Sequence, residues 1–244
     1  MKYRSLILTI SDYWNYGNRL QNYALERMLE RYGTSTTIYS CIDHPSLEKN
    51  SLFWIKNLIK HIYSSIFSDD RALSFIRNLK FQVFTRKYVP DDNFSFLMKS
   101  GLRAKQKKDF VYLVIGSDQV WNYKWLSKKG LALRLGSFVS DDHPIISYAA
   151  SFGVSEVDND AKIIFQKYLP RLKTISVREN RGAELVKEMT GLDATVVLDP
   201  TLMIAADDWL EITENFVSND DKYILTYFLG GSSDDQESDI QTYA

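Results

Sequence analysis

The chain has 244 residues, of which 45% are hydrophobic and 25% are charged, and its formal net charge is −1. This composition is typical of a globular protein, and the near-neutral charge argues against a nucleic-acid-binding protein, which needs a basic surface. The only cysteine, Cys41, excludes an intrachain disulfide and favours a cytoplasmic location, and no apolar run approaches the roughly 18 residues of a transmembrane segment.

The first predicted unit is a strand over residues 4–10, a polar loop and a helix that begins near Asn18. Asn18 and Gln21 have the spacing of a capping box. Backbone N–H groups at such a helix start attract an anion, and Gly17 would let a ligand approach the backbone closely. We therefore expect Asn15, Gly17 and Asn18 to bind substrate. The alternative is an ordinary loop between a strand and a helix.

A second strand is predicted over residues 35–40, and residues 51–105 are predicted to form a helical insert rich in aromatic and basic residues. Between Lys56 and Lys108 there are 12 Lys/Arg against 4 Asp/Glu. Within the insert, residues 52–67 carry an apolar stripe at helical spacing, which is typical of a helix packed on its own domain. The alternative is a surface helix in peripheral contact with anionic lipid or with a lipid-linked acceptor.

The clearest predicted strand covers residues 110–115, whose apolar, β-branched run is typical of a strand buried on both faces of a parallel sheet. Glycine and polar residues follow at once: Gly116, Ser117, Asp118 and Gln119. Ligands of open α/β sheets bind at the carboxyl ends of central strands. We therefore expect these four residues to bind substrate, with Trp121 as a flat apolar wall beside them. The alternative is a glycine turn followed by an Asp cap on the next helix.

Strands and helices alternate in the remaining prediction, with strands at 145–150, 174–177 and 195–198, helices at 158–169 and 181–189, and a short strand within 131–139. This alternation predicts an α/β fold with a doubly wound, mostly parallel, Rossmann-like sheet. Arg178 and Asp199 each follow a strand, and we expect both to bind substrate. The guanidinium of Arg178 would fit a phosphate or carboxylate in a bidentate manner, and the alternative is an ion pair with Glu179 or another carboxylate.

The C-terminal part of the chain is acidic, with 10 Asp/Glu against one Lys from Asp207 to Ala244. A strand at 223–228, a glycine turn and a helix start predict the opening of a second α/β unit. We therefore expect a Rossmann-like domain over residues 1–217 and, over 218–244, a linker and the first strand of an incomplete second domain.

Several chemistries lack their sequence signatures. The chain has no Gly-rich dinucleotide fingerprint, no phosphate-binding loop and no nucleophile elbow. Its three histidines do not have the spacing of metal ligands. We therefore predict neither a metal site nor a cofactor.

Five segments at predicted strand–helix junctions carry a family resemblance: residues 15–21, 116–122, 147–153, 175–179 and 197–202. In these segments the chain resembles the polysaccharide pyruvyl transferase family. The resemblance implies two Rossmann-like halves facing across a cleft, as in GT-B glycosyltransferases, and this chain would hold the N-terminal half with the second half truncated. It also implies transfer of pyruvate from phosphoenolpyruvate to sugar hydroxyls of a bacterial surface polysaccharide or its precursor, with formation of a ketal.

The resemblance further implies roles and partners. Arg178 matches an Arg-Glu motif of the family and would hold the phosphate or carboxylate of phosphoenolpyruvate. The His and Arg expected at the donor site belong to the second half, so no catalytic residue is assigned and the reaction is expected to be incomplete in this chain. Asp118 is a candidate acid or base. The expected partners are phosphoenolpyruvate and a sugar, polysaccharide or lipid-linked acceptor, at the inner face of the membrane, with a homo-oligomer as a further expectation.

Two other functions fit the same pattern. One is a GT-B glycosyltransferase that uses a nucleotide-sugar donor. The other is a non-catalytic module that binds a saccharide or a partner enzyme. The donor that the protein binds, and whether it turns that donor over, would distinguish the three hypotheses.

Overall fold

The computed structural model describes residues 3–12, 15–40, 69–89, 91–98, 101–102, 110–213, 226 and 233–243. The contacts between residues divide the chain into two compact units, Met1–Asp208 and Trp209–Ala244. Within the described ranges, no helix is long and apolar enough to cross a membrane.

The described strands are β1 (Tyr3–Leu8), β2 (Gly33–Ser40), β3 (Asp91–Met98), β4 (Gly101–Leu102), β5 (Tyr112–Ile115), β6 (Ile145–Ser147), β7 (Leu172–Thr174), β8 (Ser176–Val177) and β9 (Thr195–Val196). The described α-helices are α1 (Tyr16–Glu30), α2 (Asp69–Tyr88), α3 (Lys128–Arg134), α4 (Asn159–Tyr168), α5 (Asn180–Thr190), α6 (Ala206–Glu211) and α7 (Asp234–Tyr243).

Seven strands form the main sheet, in the order β4-β3-β2-β1-β5-β6-β7. All neighbouring pairs are parallel except β3 and β4, which are antiparallel. The chain runs outward from β1 to one edge and then returns to continue from β5 to the other edge. The strand order therefore reverses between β1 and β5, which is where open α/β sheets form a ligand crevice. The predicted α/β fold with a mostly parallel, Rossmann-like sheet is confirmed.

The two central strands, β1 and β5, are buried on both faces of the sheet, as their apolar sequences predict. Leu113 and Ile115 of β5 lie in the main core, which also contains Phe165 of α4. Val114, between them, faces the opposite side of the sheet and packs with Leu25 of α1. Helices thus cover both faces of the sheet, and burial of each such side chain contributes roughly 1.5–3 kcal/mol.

The predicted helical insert is only partly right. Residues 69–88 do form a helix, α2, which packs on α1 through aromatic rings: the ring centroids of Tyr16 and Phe81 are 4.8 Å apart. However, residues 91–98 form β3, which pairs with β2, and 101–102 form β4. Phe94, Phe96 and Met98 alternate with the period of a strand, and pairing with β2 stabilises this conformation. The membrane-contact prediction for 52–67 falls outside the described residues.

The short strand predicted within residues 131–139 is wrong, because this segment begins inside a helix. Ser127 caps α3, its Oγ accepting a hydrogen bond of 3.1 Å from the N–H of Gly130. Leu131, Leu133 and Leu135 alternate along the sequence like residues of a strand, yet all three are buried. A helix that packs against the core on several sides can bury residues around its whole circumference. The alternation of leucines was therefore not evidence for a strand. Of the strand predicted at 223–228, only residue 226 is described.

Candidate functional site

A polar pocket lies at the carboxyl ends of β1 and β5, where the strand order reverses. Its volume is about 510 Å³. The carboxylate and amide side chains that line it are Asp12, Asn15, Asn18, Asp118, Gln119 and Asn122. Four of the residues predicted to bind substrate, Asn15, Asn18, Asp118 and Gln119, are therefore brought together here.

Backbone hydrogen bonds continue the sheet beyond its strands and set the positions of the site loops. The N–H of Ser151 donates to the carbonyl of Asp118 at 2.9 Å, and the N–H of Arg178 donates to the carbonyl of Ala150 at 3.1 Å. Three loops, which follow β5, β6 and β8, thus lie side by side. This arrangement places Arg178 next to Asp118, although the two residues are 60 positions apart in the sequence.

The turn at the end of β5 depends on glycine. Gly116 has a φ of +127°, and a Cβ on this residue would lie 2.0 Å from the carbonyl oxygen of Tyr148. Two residues later, Asp118 adopts a left-handed conformation with a φ of 68°. Non-glycine residues in this region are uncommon, and such strained conformations are enriched at functional sites.

The Asp118 carboxyl group lies at the pocket with 19% of its side chain exposed. Burial raises the pKa of Asp118 above its ordinary value of 3.8. A hydrogen bond from the N–H of Gln119 and the charge of Arg178 oppose this rise in pKa, whereas the charges of Asp199 and Asp12 add to it. Asp118 therefore holds a proton more readily than a solvated Asp, which suits a group that exchanges protons with a ligand.

Arg178 is surrounded by carboxylates. Its Nη1 lies 3.0 Å from Oδ2 of Asp199, its Nη2 lies 3.7 Å from Oδ1 of Asp118, and its Nε lies 3.9 Å from Oε2 of Glu179. The second oxygen of Asp199 accepts hydrogen bonds from the N–H and the hydroxyl of Thr201, at 3.0 and 2.8 Å. The ion-pair alternative for Arg178 is thus realised in the structure, and binding of phosphoenolpyruvate by Arg178 stays a prediction.

The start of α1 differs from the predicted capping box. The helix begins at Tyr16 with Asn15 as its N-cap, so Asn18 lies inside the first turn. The carboxylate of Asp12 accepts a hydrogen bond from the N–H of Asn15 at 3.3 Å and from Nδ2 of Asn18 at 2.9 Å. Asp12 therefore brings a negative charge to the helix start, where the sequence suggested a bound anion. Gly17 is exposed and lies outside the pocket lining.

Ser117 is buried and does not face the pocket. Its hydroxyl and its N–H both donate to Oε1 of Gln21, at 2.7 and 3.2 Å. Nε2 of Gln21 donates to Oγ1 of Thr9 at 2.8 Å, and this hydroxyl donates to the carbonyl of Ser117 at 3.1 Å. The three residues thus connect β1, α1 and the turn after β5, which is a structural role.

The prediction that Trp121 forms a wall of the site is wrong, and Trp125 takes that place. Trp121 has no exposed surface and packs edge-on against Phe152, with ring centroids 5.2 Å apart. Trp125 is 67% exposed and lines the pocket. Asn122 starts the short 3-10 turn between them, its Oδ1 accepting a hydrogen bond from the N–H of Lys124. This turn directs one Trp inward and the other outward.

Seven pocket residues were missing from the sequence prediction: the apolar Ile10, Val120 and Leu126, and also Asp12, Asn122, Trp125 and Arg134. Asp12 follows β1 as Asp118 follows β5, so its position after a central strand was a usable signal. Arg134 is only 1% exposed and donates to the carbonyl of Thr9. Because the sequence favoured a strand in this segment, nothing indicated that Arg134 would reach the pocket.

Among the described residues, no group of three or more His, Cys, Asp and Glu side chains has the arrangement of a metal site. His44 and His61 lie outside the described ranges. His143 stacks on Phe110, with ring centroids 4.6 Å apart. The ring contact gives His143 a packing role in the structure.

Comparison with known proteins gives one match. A family model described as "Polysaccharide pyruvyl transferase" matches residues 15–243, which is nearly the whole chain. Searches of curated proteins and of solved structures gave no significant match. The matched range includes the loops after β1, β5, β6, β8 and β9 that carried the resemblance in the sequence. The chain therefore belongs to the polysaccharide pyruvyl transferase family.

Proposed function

We propose that the chain transfers pyruvate from phosphoenolpyruvate to hydroxyl groups of a sugar in a bacterial surface polysaccharide or its precursor, forming a ketal. Family membership supports this class of reaction. At the site, the proposal rests on Asp118, a largely buried carboxyl group that lines the pocket at the carboxyl ends of β1 and β5. A carboxyl group in this position can exchange a proton with a hydroxyl of a bound sugar.

The proposed reaction begins when a general acid adds a proton to the methylene carbon of phosphoenolpyruvate, which leaves C2 cationic. A first sugar hydroxyl attacks C2 and loses its proton, and the C–O bond to phosphate breaks with its electron pair on the phosphate oxygen. A second hydroxyl closes the ketal and loses its proton. Of the two protons lost by the sugar, one replaces the proton delivered to the methylene carbon and one leaves on inorganic phosphate.

Asp118 is the proposed base that accepts the proton of the attacking hydroxyl. Its raised pKa makes it a stronger base than an ordinary Asp carboxylate once it is ionised. Arg178, 3.7 Å away, holds the carboxylate in place and favours its ionised form. The sequence suggested instead that Arg178 binds the donor, and the two roles predict different kinetic effects of its replacement.

The acceptor is proposed to be a free, polymeric or lipid-linked sugar, and the proposed location is the cytoplasm. The location is supported by the single cysteine, Cys41, since disulfide-free chains are typical of reducing compartments. No cofactor is required by the reaction as written, because phosphoenolpyruvate itself supplies the activated pyruvate.

The test is an incubation of the protein, expressed from its complete reading frame, with phosphoenolpyruvate and a panel of neutral methyl hexosides and methyl N-acetylhexosaminides. Release of inorganic phosphate that depends on the sugar, together with a pyruvate ketal detected by NMR, is the expected result. Consumption of a nucleotide sugar without any turnover of phosphoenolpyruvate would overturn the proposal in favour of a glycosyltransferase. Saccharide binding without turnover of either donor would favour a non-catalytic module.

A further inference from the structure

We propose that the pocket between β1 and β5 binds one neutral sugar ring of the acceptor, with Trp125 against the C–H face of the ring and Asp12 and Asp118 at its hydroxyl groups. This inference rests on the proposed function for the identity of the sugar as acceptor. It concerns binding, however, and can be tested without turnover.

The size and the chemistry of the pocket suit a small polar molecule. Its volume of about 510 Å³ lies in the usual range for small-molecule sites. A sugar ring carries hydroxyl groups that both donate and accept hydrogen bonds. The carboxylates of Asp12 and Asp118 can accept from these hydroxyls, and the side-chain amides of Asn15, Gln119 and Asn122 offer both donors and acceptors.

The charge at the pocket disfavours an anion such as phosphoenolpyruvate. Two carboxylates, Asp12 and Asp118, line the pocket, with Arg134 as the one cation among the described lining residues. The Arg134 side chain is only 1% exposed, and its Nη1 already donates to the carbonyl of Thr9. Arg178, behind Asp118, already has three carboxylates within 4.0 Å. A neutral ligand avoids the repulsion that an anion would meet here.

Trp125 gives the pocket a flat apolar side. It is 67% exposed, whereas Trp121, at the other end of the same short turn, is fully buried. Ile10 and Leu126 also line the pocket and extend the apolar surface. One face of a hexose ring presents mainly C–H groups, which pack well against an indole ring, while the ring edge presents hydroxyls to the carboxylates. The exposed indole suits the C–H face of the sugar, and the carboxylates and amides suit its hydroxyl groups.

The experiment measures binding of the same panel of neutral methyl glycosides to the 244-residue chain by saturation-transfer NMR. We expect at least one glycoside to bind wild type, and Trp125→Ala to weaken its binding roughly tenfold or more. Trp125→Phe should recover part of the affinity, because it restores an aromatic face. Tyr32→Ala is the matched control, since Tyr32 is also an exposed aromatic residue, at 72%, but does not line the pocket.

Phosphoenolpyruvate serves as the competitor. We expect it not to displace the bound glycoside. Displacement by phosphoenolpyruvate, unchanged affinity in Trp125→Ala, or absence of binding by every glycoside would each overturn the inference. Binding that depends on Trp125 without transfer of pyruvate would refute the proposed function and leave this inference standing. Transfer of pyruvate to a sugar whose affinity does not change in Trp125→Ala would support the proposed function and refute this inference.

Discussion

Arg178 directs its Nη2 atom at Oδ1 of Asp118 across 3.7 Å, and the same guanidinium is held from its other side by Asp199 at 3.0 Å. Asp118 lines the pocket, whereas Arg178 and Asp199 stand behind it. The three side chains come from the ends of three different strands, β5, β8 and β9. Their contact therefore depends on the pairing of β8 with β9 and on the backbone hydrogen bonds that join the loops after β5, β6 and β8.

We expect Arg178→Met to lower kcat while the KM for phosphoenolpyruvate stays near its wild-type value. Removal of the guanidinium takes away a charge that lowers the pKa of Asp118, so this pKa should rise. If ionised Asp118 is the base, the acidic limb of the kcat/KM profile then moves to higher pH. An NMR titration of the Asp118 carboxyl carbon, with Asp118→Asn used for assignment, checks the pKa directly.

The matched control for Arg178→Met is Arg181→Met. Arg181 lies three residues away, has 37% of its side chain exposed and pairs with Glu184 and Glu188. Arg181→Met should change neither the pH profile of kcat/KM nor the titration of Asp118. A large rise in the KM for phosphoenolpyruvate in Arg178→Met, with kcat unchanged, would instead identify Arg178 as the group that binds the donor.

Asp118→Asn should be at least as stable as wild type at neutral pH. The raised pKa of Asp118 means that folding disfavours its charged form, so the charge reduces the free energy of unfolding above the folded-state pKa. As the pH falls toward the ordinary Asp value of 3.8, wild type becomes protonated and the advantage of the Asn variant disappears. Asn also tolerates the left-handed φ of 68°. Urea unfolding at several pH values measures the difference, and an Asn variant that is less stable at neutral pH would contradict the prediction.

A second pH effect is expected from Glu26, a buried carboxyl on α1 that accepts hydrogen bonds from Ser35 and Thr37 of β2. Burial raises the pKa of Glu26 from 4.5 to about 7. The folded state thus keeps this proton at pH values where the unfolded chain has lost it. The free energy of unfolding should therefore fall as the pH rises between these two pKa values, by about 3 kcal/mol in total.

Comparison with Glu26→Gln isolates this contribution, because the amide has no proton to lose. Urea unfolding at about pH 5 and about pH 8 should show that wild type loses about 2.5 kcal/mol relative to Glu26→Gln over this range. Glu30→Gln, at an exposed position one turn later on α1, should keep most of the pH dependence of wild type, because burial raises the pKa of Glu26 more than the charge of Glu30 does. An equal pH dependence in wild type and Glu26→Gln would show that the carboxyl is not buried in its neutral form.

Gly116→Ala should prevent stable folding or cost more than about 3 kcal/mol, since its Cβ would meet the carbonyl oxygen of Tyr148 at 2.0 Å. Gly191→Ala is the control, because Gly191 also has a positive φ, +74°, but no atom lies within 4 Å of its added Cβ. The control should lose only about 1–2 kcal/mol. Thermal unfolding of both variants tests the difference, and similar losses would contradict the close approach at Gly116.

The regular parts of the fold could be predicted because local pattern and tertiary position agree. The apolar run of β5 marks a central strand, and α5 has both an apolar spacing and a stop at Gly191, which adopts a φ of 74°. The strands at 91–98 and 101–102 were missed because they are stabilised by pairing with β2 and with each other, which a local pattern cannot show.

The site could be predicted as a set of strand ends but not as a set of contacts. Asp118 and Gln119 reach the pocket because they follow a central strand directly. Trp121 is buried and Trp125 faces the pocket because of a short turn and a hydrogen bond from the backbone N–H of Trp121 to the carbonyl of Ser151. The charge of Arg178 is balanced by carboxylates that follow other strands. Which strand ends lie next to one another could not be determined from the sequence alone.

The most direct test of the central claim is the rate of sugar-dependent phosphate release from phosphoenolpyruvate by wild type and by Asp118→Asn. We predict that the Asn variant still binds the sugar but that its kcat is lower by a factor of about 100 or more, as for loss of a general acid or base. Phosphate release by Asp118→Asn at the wild-type rate would contradict the role assigned to this carboxyl group.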